Sequence, residues 1–413
     1  MSKKGRGILK MRREEKGITL VALIITIVVM LILVAVSINV IVNSNLIGYS
    51  EKTGDAYSGA IKNEENFGND GITINDKEYA SIDDYIEARK PLPEGAGKKF
   101  TETKEYTDGT KTAVIPGGFT VSGIRKETRI DEGLVIHLIP DDEIENVKWD
   151  GTEKTKYDQF VWIPVSNANK MFMCQAKTES DSGCDLKIEG NEVICQTHKT
   201  ADATKSKNMA GRLYATGAGE SFNSSLTTQT YNANSGLREP AKLSSTNSSF
   251  VDQEEEPNLD LQTEYNNAVK KVIESKGFWI GRYETTGMSS SNDDIAVNIV
   301  AGKGTSDGIG DVNWYRMYKQ QQNYANKKNL DTSKIQSTMI FGAAYDQTMI
   351  FANCEKATTS AKDYSAVITG NVETDCYKNI YDLCGNLREW TTEANNTYYR
   401  ISRGRQLWRQ YFC

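Results

Sequence analysis

Histidine is nearly absent: the 413 residues contain only His137 and His198, so catalysis through a histidine base has little material. His137 lies in an apolar strand-like run, where a core position is expected. Proline is scarce at 7, while glycine reaches 33 and Asn, Ser and Thr are plentiful. That balance argues against a helical bundle and for a polar, turn-rich domain of short strands. Charge of one sign is also missing. With 49 basic against 55 acidic residues, and no basic face outside the first sixteen positions, a nucleic-acid partner is excluded. The cysteine count is odd, at 7, so pairing within one chain leaves at least one thiol over.

One long hydrophobic run is present. Ile18 to Val42 reads ITLVALIITIVVMLILVAVSINVIV and carries no ionisable side chain. As a helix rising about 1.5 Å per residue it spans the roughly 30 Å hydrocarbon core. Lys3, Lys4, Arg6, Lys10, Arg12, Arg13 and Lys16 precede it, opposed only by Glu14 and Glu15. This excess holds the N-terminus in the cytoplasm and sends everything after Val42 outside. The expected location is thus a bacterial cell membrane, single-pass, with the main domain extracytoplasmic.

The leader ends at Gly17 directly before the apolar run, whereas a secretory signal would show a shorter core and a small-residue cleavage site. Lys16-Gly17-Ile18-Thr19-Leu20 resembles the prepilin-type signal of type IV pilins and pseudopilins. The resemblance implies cleavage between Gly17 and Ile18 by a prepilin peptidase, other pilin-like subunits as partners, and display on a surface filament. Ala22 stands where pilins usually carry a glutamate. Filament assembly loses the carboxylate that would pair with a neighbouring subunit's amine, and a plain uncleaved anchor is the alternative.

Residues 43–95 read as a polar stalk and linker, with a short helix over Asp83 to Arg89 and a boundary in PLPEGAGKK, Pro91 to Lys99. The outer domain is placed at 96–413. Strands are predicted over Thr112 to Ile115, Gly118 to Ile124, Leu134 to Leu138, Gln159 to Val165 and Gly277 to Thr285. Helices are predicted over Glu264 to Ser275 and Asn313 to Asn326, and Ala201 to Asp260 is predicted to be loop or insertion. The fold class is α+β: an N-terminal transmembrane helix, then a domain of many short strands, few helices and long loops.

Several segments of that domain share one pattern. Phe160-Val161-Trp162-Ile163-Pro164-Val165, Gly277-Phe278-Trp279-Ile280-Gly281-Arg282-Tyr283-Glu284, Asn313-Trp314-Tyr315, Ser337 to Met349 and Asn379-Ile380-Tyr381-Asp382-Leu383-Cys384-Gly385-Asn386-Leu387-Arg388-Glu389-Trp390-Thr391 occur in order. Together they resemble the formylglycine-generating enzyme, or sulfatase-modifying factor, branch of the C-type-lectin-like fold. In the last segment Gly385 and Asn386 suit a tight turn and Trp390 a core anchor, so Asn379, Tyr381, Asp382, Gly385, Asn386, Glu389 and Trp390 are expected to be structural. Asp382 and Glu389 are expected to tie loops together rather than to form a catalytic carboxylate pair.

The enzymes of that family act through a cysteine pair near the end of the domain. Here Arg400-Ile401-Ser402-Arg403-Gly404-Arg405-Gln406 matches the segment before it, with Arg405 in place of a glycine, and the pair does not follow. No enzyme activity is therefore expected. The stretch instead concentrates Asn395, Asn396, Tyr398, Tyr399, Arg400, Arg403, Arg405 and Trp408, residue types that dominate recognition surfaces. By position this resembles the variable ligand-binding region of lectin-fold targets of diversity-generating retroelements. A surface-displayed binding protein, adhesin- or minor-pilin-like, is the expected function; a pseudopilin-like filament subunit is the alternative, and a tethered modifying enzyme a weaker one.

Cys174, Cys184, Cys195 and His198 lie close together in the chain. Outside the membrane a disulfide among the three cysteines is expected. A zinc site is an alternative on ligand type, although no Cys-x2-Cys knuckle is present, and reduced thiols are another. Cys376 and Cys384 are a second candidate pair. No metal or cofactor belongs to the expected function.

Overall fold

The computed structural model describes residues 72–74, 77–79, 81–177, 183–211, 239, 260–303, 312–353, 368–371, 373–383, 389–394 and 400–403. The chain divides into two compact units, Met1–Lys90 and Pro91–Cys413. Among the described residues no helix is long and apolar enough to cross a membrane. The expected span Ile18–Val42 and the processing residues Gly17 and Ile18 lie outside the described residues.

In the first unit, β1 (Ile72–Ile74) and β2 (Lys77–Tyr79) pair antiparallel with Ile72 opposite Tyr79. They are followed by α1 (Ile82–Arg89), where the sequence predicts a short helix.

The second unit is a mixed fold with few helices and many short strands. A hairpin opens it, β3 (Lys104–Thr107) against β4 (Thr112–Ile115). Its turn is closed by Asp108 Oδ1, which accepts the N–H groups of Thr110 and Lys111, both at 2.9 Å. The central sheet is antiparallel and contains β5 (Thr120–Val121), β6 (Val135–His137), β7 (Gln159–Pro164) and β12 (Gly277–Gly281) in the order β12-β7-β6-β5. These strands lie inside the runs predicted from alternation and β-branched content, with shorter bounds. Trp162 and Trp279 face each other in register, with ring centroids 5.1 Å apart. Gly277 makes that pairing possible, since a Cβ there would sit 2.6 Å from Trp162 Cε2.

The helices follow from their spacing. In α3 (Leu261–Ser275) Leu261, Tyr265, Val269 and Val272 recur at helical intervals and are the buried face. Asp260 caps it by accepting the Thr263 N–H at 3.0 Å. The predicted helix over Asn313 to Asn326 is split into α4 (Trp314–Gln322) and α5 (Tyr324–Lys327), joined at Asn323. α6 (Gly342–Ala352) ends at Asn353, whose φ of 57° closes it in the left-handed region.

A smaller lobe lies around β8 (Phe172–Cys174), which follows the one-turn α2 (Ala168–Met171), and β9 (Leu186–Glu189), β10 (Glu192–Cys195) and β11 (Met209–Gly211). It consists of two-stranded pairs, β8 with β11 and β9 with β10. β11 falls within the stretch from Ala201 to Asp260 that the sequence assigns to loop. The chain closes with the pairs β13 (Cys376–Tyr377) with β14 (Ile380–Tyr381) and β15 (Glu389–Ala394) with β16 (Arg400–Arg403).

Candidate metal centre and the buried charged sites

The lobe brings together the cysteines of the local cluster. β9 and β10 are joined by the two-residue turn Gly190-Asn191, with Gly190 at φ 61°, and their register sets Cys195 opposite Leu186. Cys195 is thereby brought beside Cys184, two residues upstream of Leu186. Cys174 enters from the end of β8, and His198 from the turn after β10.

His198 Nδ1 lies 3.3 Å from Cys174 Sγ, 3.7 Å from Cys184 Sγ and 3.2 Å from Cys195 Sγ. The Cys174 and Cys184 sulfurs are 3.9 Å apart, and all four donor atoms fall within 4.8 Å of one another. The side chains are buried, between 0 % and 8 % exposed. The Cys174 N–H donates to Cys184 Sγ at 3.4 Å. Cys184 is pushed down to about 5, first by its side-chain interaction with Cys174, against burial, which raises it.

This arrangement corrects the expected disulfide. Cys174, Cys184 and Cys195 are free thiols, and a 3.9 Å separation is far beyond the roughly 2.05 Å of an S–S bond. The sulfurs converge on the imidazole rather than on each other. The sequence groups these four residues and offers a zinc site as an alternative, and the hairpin register brings Cys195 beside Cys184. Cys376 is also a free thiol, and its candidate partner Cys384 lies outside the described residues.

Two buried charged sites escape sequence reasoning. In the first, Arg282 of the Gly-Arg-Tyr-Glu segment pairs with Glu127 at 2.7 Å and donates to Gln159 Oε1 at 2.9 Å. Ser122 donates to Glu127 at 2.6 Å and His137 stands 3.8 Å from it. Burial raises the Glu127 carboxyl, but His137, Arg282 and Ser122 together pull it down to about 2. His137 itself is fully buried, and burial lowers its basicity.

In the second site, Glu239 accepts the Gly342 N–H, the Ala343 N–H at 2.7 Å and the Thr392 hydroxyl at 2.8 Å, so it binds the N-terminus of α6. Beside it Glu393 accepts two hydrogen bonds from Arg403, at 2.7 and 2.5 Å. Arg403 also stands 3.7 Å from Asp346. Glu239 is pushed up to about 8 by burial and then by the charge of Glu393.

The motif residues are held by contacts within the unit. Asn379 (φ 63°) donates to Gly133 O at 2.7 Å and Glu132 O at 3.0 Å. Tyr381 stacks on Tyr283 at 5.2 Å, and its hydroxyl donates to Glu373. Asp382 (φ 63°) accepts the Thr369 hydroxyl at 2.6 Å and the Gly370 N–H at 2.9 Å. Trp390 packs half-buried against the cluster around Trp314 and Tyr318, and Glu389 begins β15. Gly385 and Asn386 lie outside the described residues.

Of the expected ligand-binding residues, Asn395, Asn396, Tyr398, Tyr399, Arg405 and Trp408 lie outside the described residues, and Arg400 is placed in the backbone of β16. Arg403 pairs with Glu393 at 2.5 Å while its own side chain stays partly exposed, because the buried carboxylate needs a paired cation. No family model, curated protein or solved structure matches the chain.

Proposed function

We propose that this chain is a cell-surface displayed binding protein, adhesin- or minor-pilin-like. In this proposal residues 18–42 anchor it with the N-terminus cytoplasmic, and a non-catalytic lectin-like domain of formylglycine-generating-enzyme type recognises an external protein or glycan. The observation that supports recognition is the hairpin of β15 and β16. Ala394 pairs with Arg400, so residues 395–399, Asn-Asn-Thr-Tyr-Tyr, connect two paired strands. The Glu393–Arg403 ion pair ties the two strands together below that connection. Amide and aromatic residues in the sequence between two tied strands are the residue types binding scaffolds use.

The test displays the full chain on cells and measures retention on immobilised glycans and extracellular-matrix proteins. Replacing Asn395 to Tyr399 by glycine and serine is expected to lower retention at least tenfold with the thermal midpoint unchanged. Equal retention by both forms overturns the assignment of residues 395–399.

A pseudopilin-like filament subunit is the second proposal, supported by Lys16-Gly17-Ile18 ahead of the apolar run. Its mark is co-assembly with other prepilin-type subunits.

A further inference from the structure

Three sulfurs and one imidazole nitrogen at a common point constitute a donor set that soft, tetrahedral metal ions select. The spacing can be checked against a metal of known radius. With zinc–sulfur bonds of about 2.3 Å and zinc–nitrogen bonds of about 2.1 Å, a tetrahedron has sulfur–sulfur edges near 3.8 Å and sulfur–nitrogen edges near 3.6 Å. The observed Cys174–Cys184 edge is 3.9 Å, and the edges to His198 Nδ1 are 3.2, 3.3 and 3.7 Å. Four soft donors buried within 4.8 Å of one another have the spacing that one tetrahedral metal ion requires.

We propose that Cys174, Cys184, Cys195 and His198 bind one zinc ion in a closed tetrahedral centre. Binding displaces the thiol protons to solvent and leaves the cysteines as thiolates, with His198 coordinating through Nδ1. All four positions are filled by buried protein ligands, so the ion has no open position for substrate and its role is structural. The surroundings explain the need. β8, β9 and β10 are strands of three or four residues in two-stranded pairs, which are marginal alone. One ion joins the end of β8, the segment before β9 and the turn after β10, against an apolar layer that includes Met173, Leu186, Met209 and Val269. Coordination also protects neighbouring thiols from oxidation to a disulfide.

The experiment uses the purified full chain. Elemental mass spectrometry after exhaustive dialysis is expected to find about one zinc per chain. Exchange with cobalt(II) alone should give the intense visible d–d bands of a tetrahedral site and a thiolate-to-cobalt charge-transfer band. Cys195→Ser should lose the zinc at least tenfold. His198→Cys, which restores a fourth donor if the loss of a ligand prevents folding, should keep the zinc and shift the cobalt spectrum. Zinc below a tenth of an equivalent without a cobalt spectrum overturns the proposal. So does an intact mass two hydrogens short with a disulfide mapped among Cys174, Cys184 and Cys195.

Discussion

Glu239 holds its proton in the fold to about pH 8, while the same carboxyl in an unfolded chain releases it near 4.5. Between those values the folded state binds more protons than the unfolded one. The stabilisation is therefore complete below about pH 4.5 and is lost as pH rises towards 8. Glu127 and Asp108, both held down to about 2, act the other way, but below pH 4.5. His137, buried and less basic than a free imidazole, opposes Glu239 only below 6.5. The denaturation midpoint of the wild-type chain should thus fall from about pH 6.5 to 8 relative to Glu239→Gln, a difference of a few kcal/mol at most. Parallel pH profiles for the two proteins would remove Glu239 from this role. None of this is legible along the chain, where Glu239 stands in a polar stretch far from Glu393 and Gly342 in number.

α6 shows at the scale of the element why its first residue is glycine. A Cβ on Gly342 would lie 2.5 Å from Glu393 Cγ and Oε1, so the helix start can approach β15 only without a side chain. Gly342→Ala should cost about 1–3 kcal/mol, the usual range for overpacking. The penalty should shrink in a Glu393→Ala background, which removes the obstruction but leaves Arg403 unpaired. A double-mutant cycle by chemical denaturation measures the coupling, and additive values would mean that helix and strand do not press on each other there. Legibility differed sharply between elements. The predicted helix over Glu264 to Ser275 covers most of α3, where Tyr265, Val269 and Val272 recur at helical spacing, while the first turn from Leu261 lies outside that prediction. α6 is apolar nearly all round and lacks that period, and β8 to β11 are too short for alternation to register.

At the scale of the whole molecule, the proposed role predicts a pilin-like export route. Coexpression with a prepilin peptidase, followed by intact mass and N-terminal sequencing of the membrane extract, should give a mature chain beginning at Ile18. A chain that retains the residues before Gly17 would withdraw the pilin-like route and leave a simple tethered receptor. The sequence by itself determined the local features: where the strands of the central sheet run, and most of the length of α3. It also supplied the apolar run and basic leader from which the proposed membrane anchor is argued. Only the tertiary structure decided which distant residues meet. Arg282 finds Glu127, Glu239 reaches the start of α6, Arg403 pairs with Glu393, and Cys174, Cys184, Cys195 and His198 close on one point. The physical reason is that burying a charge or a thiol constrains its surroundings but does not name its partner. Strand register and helix placement choose the partner, and both are properties of the folded chain.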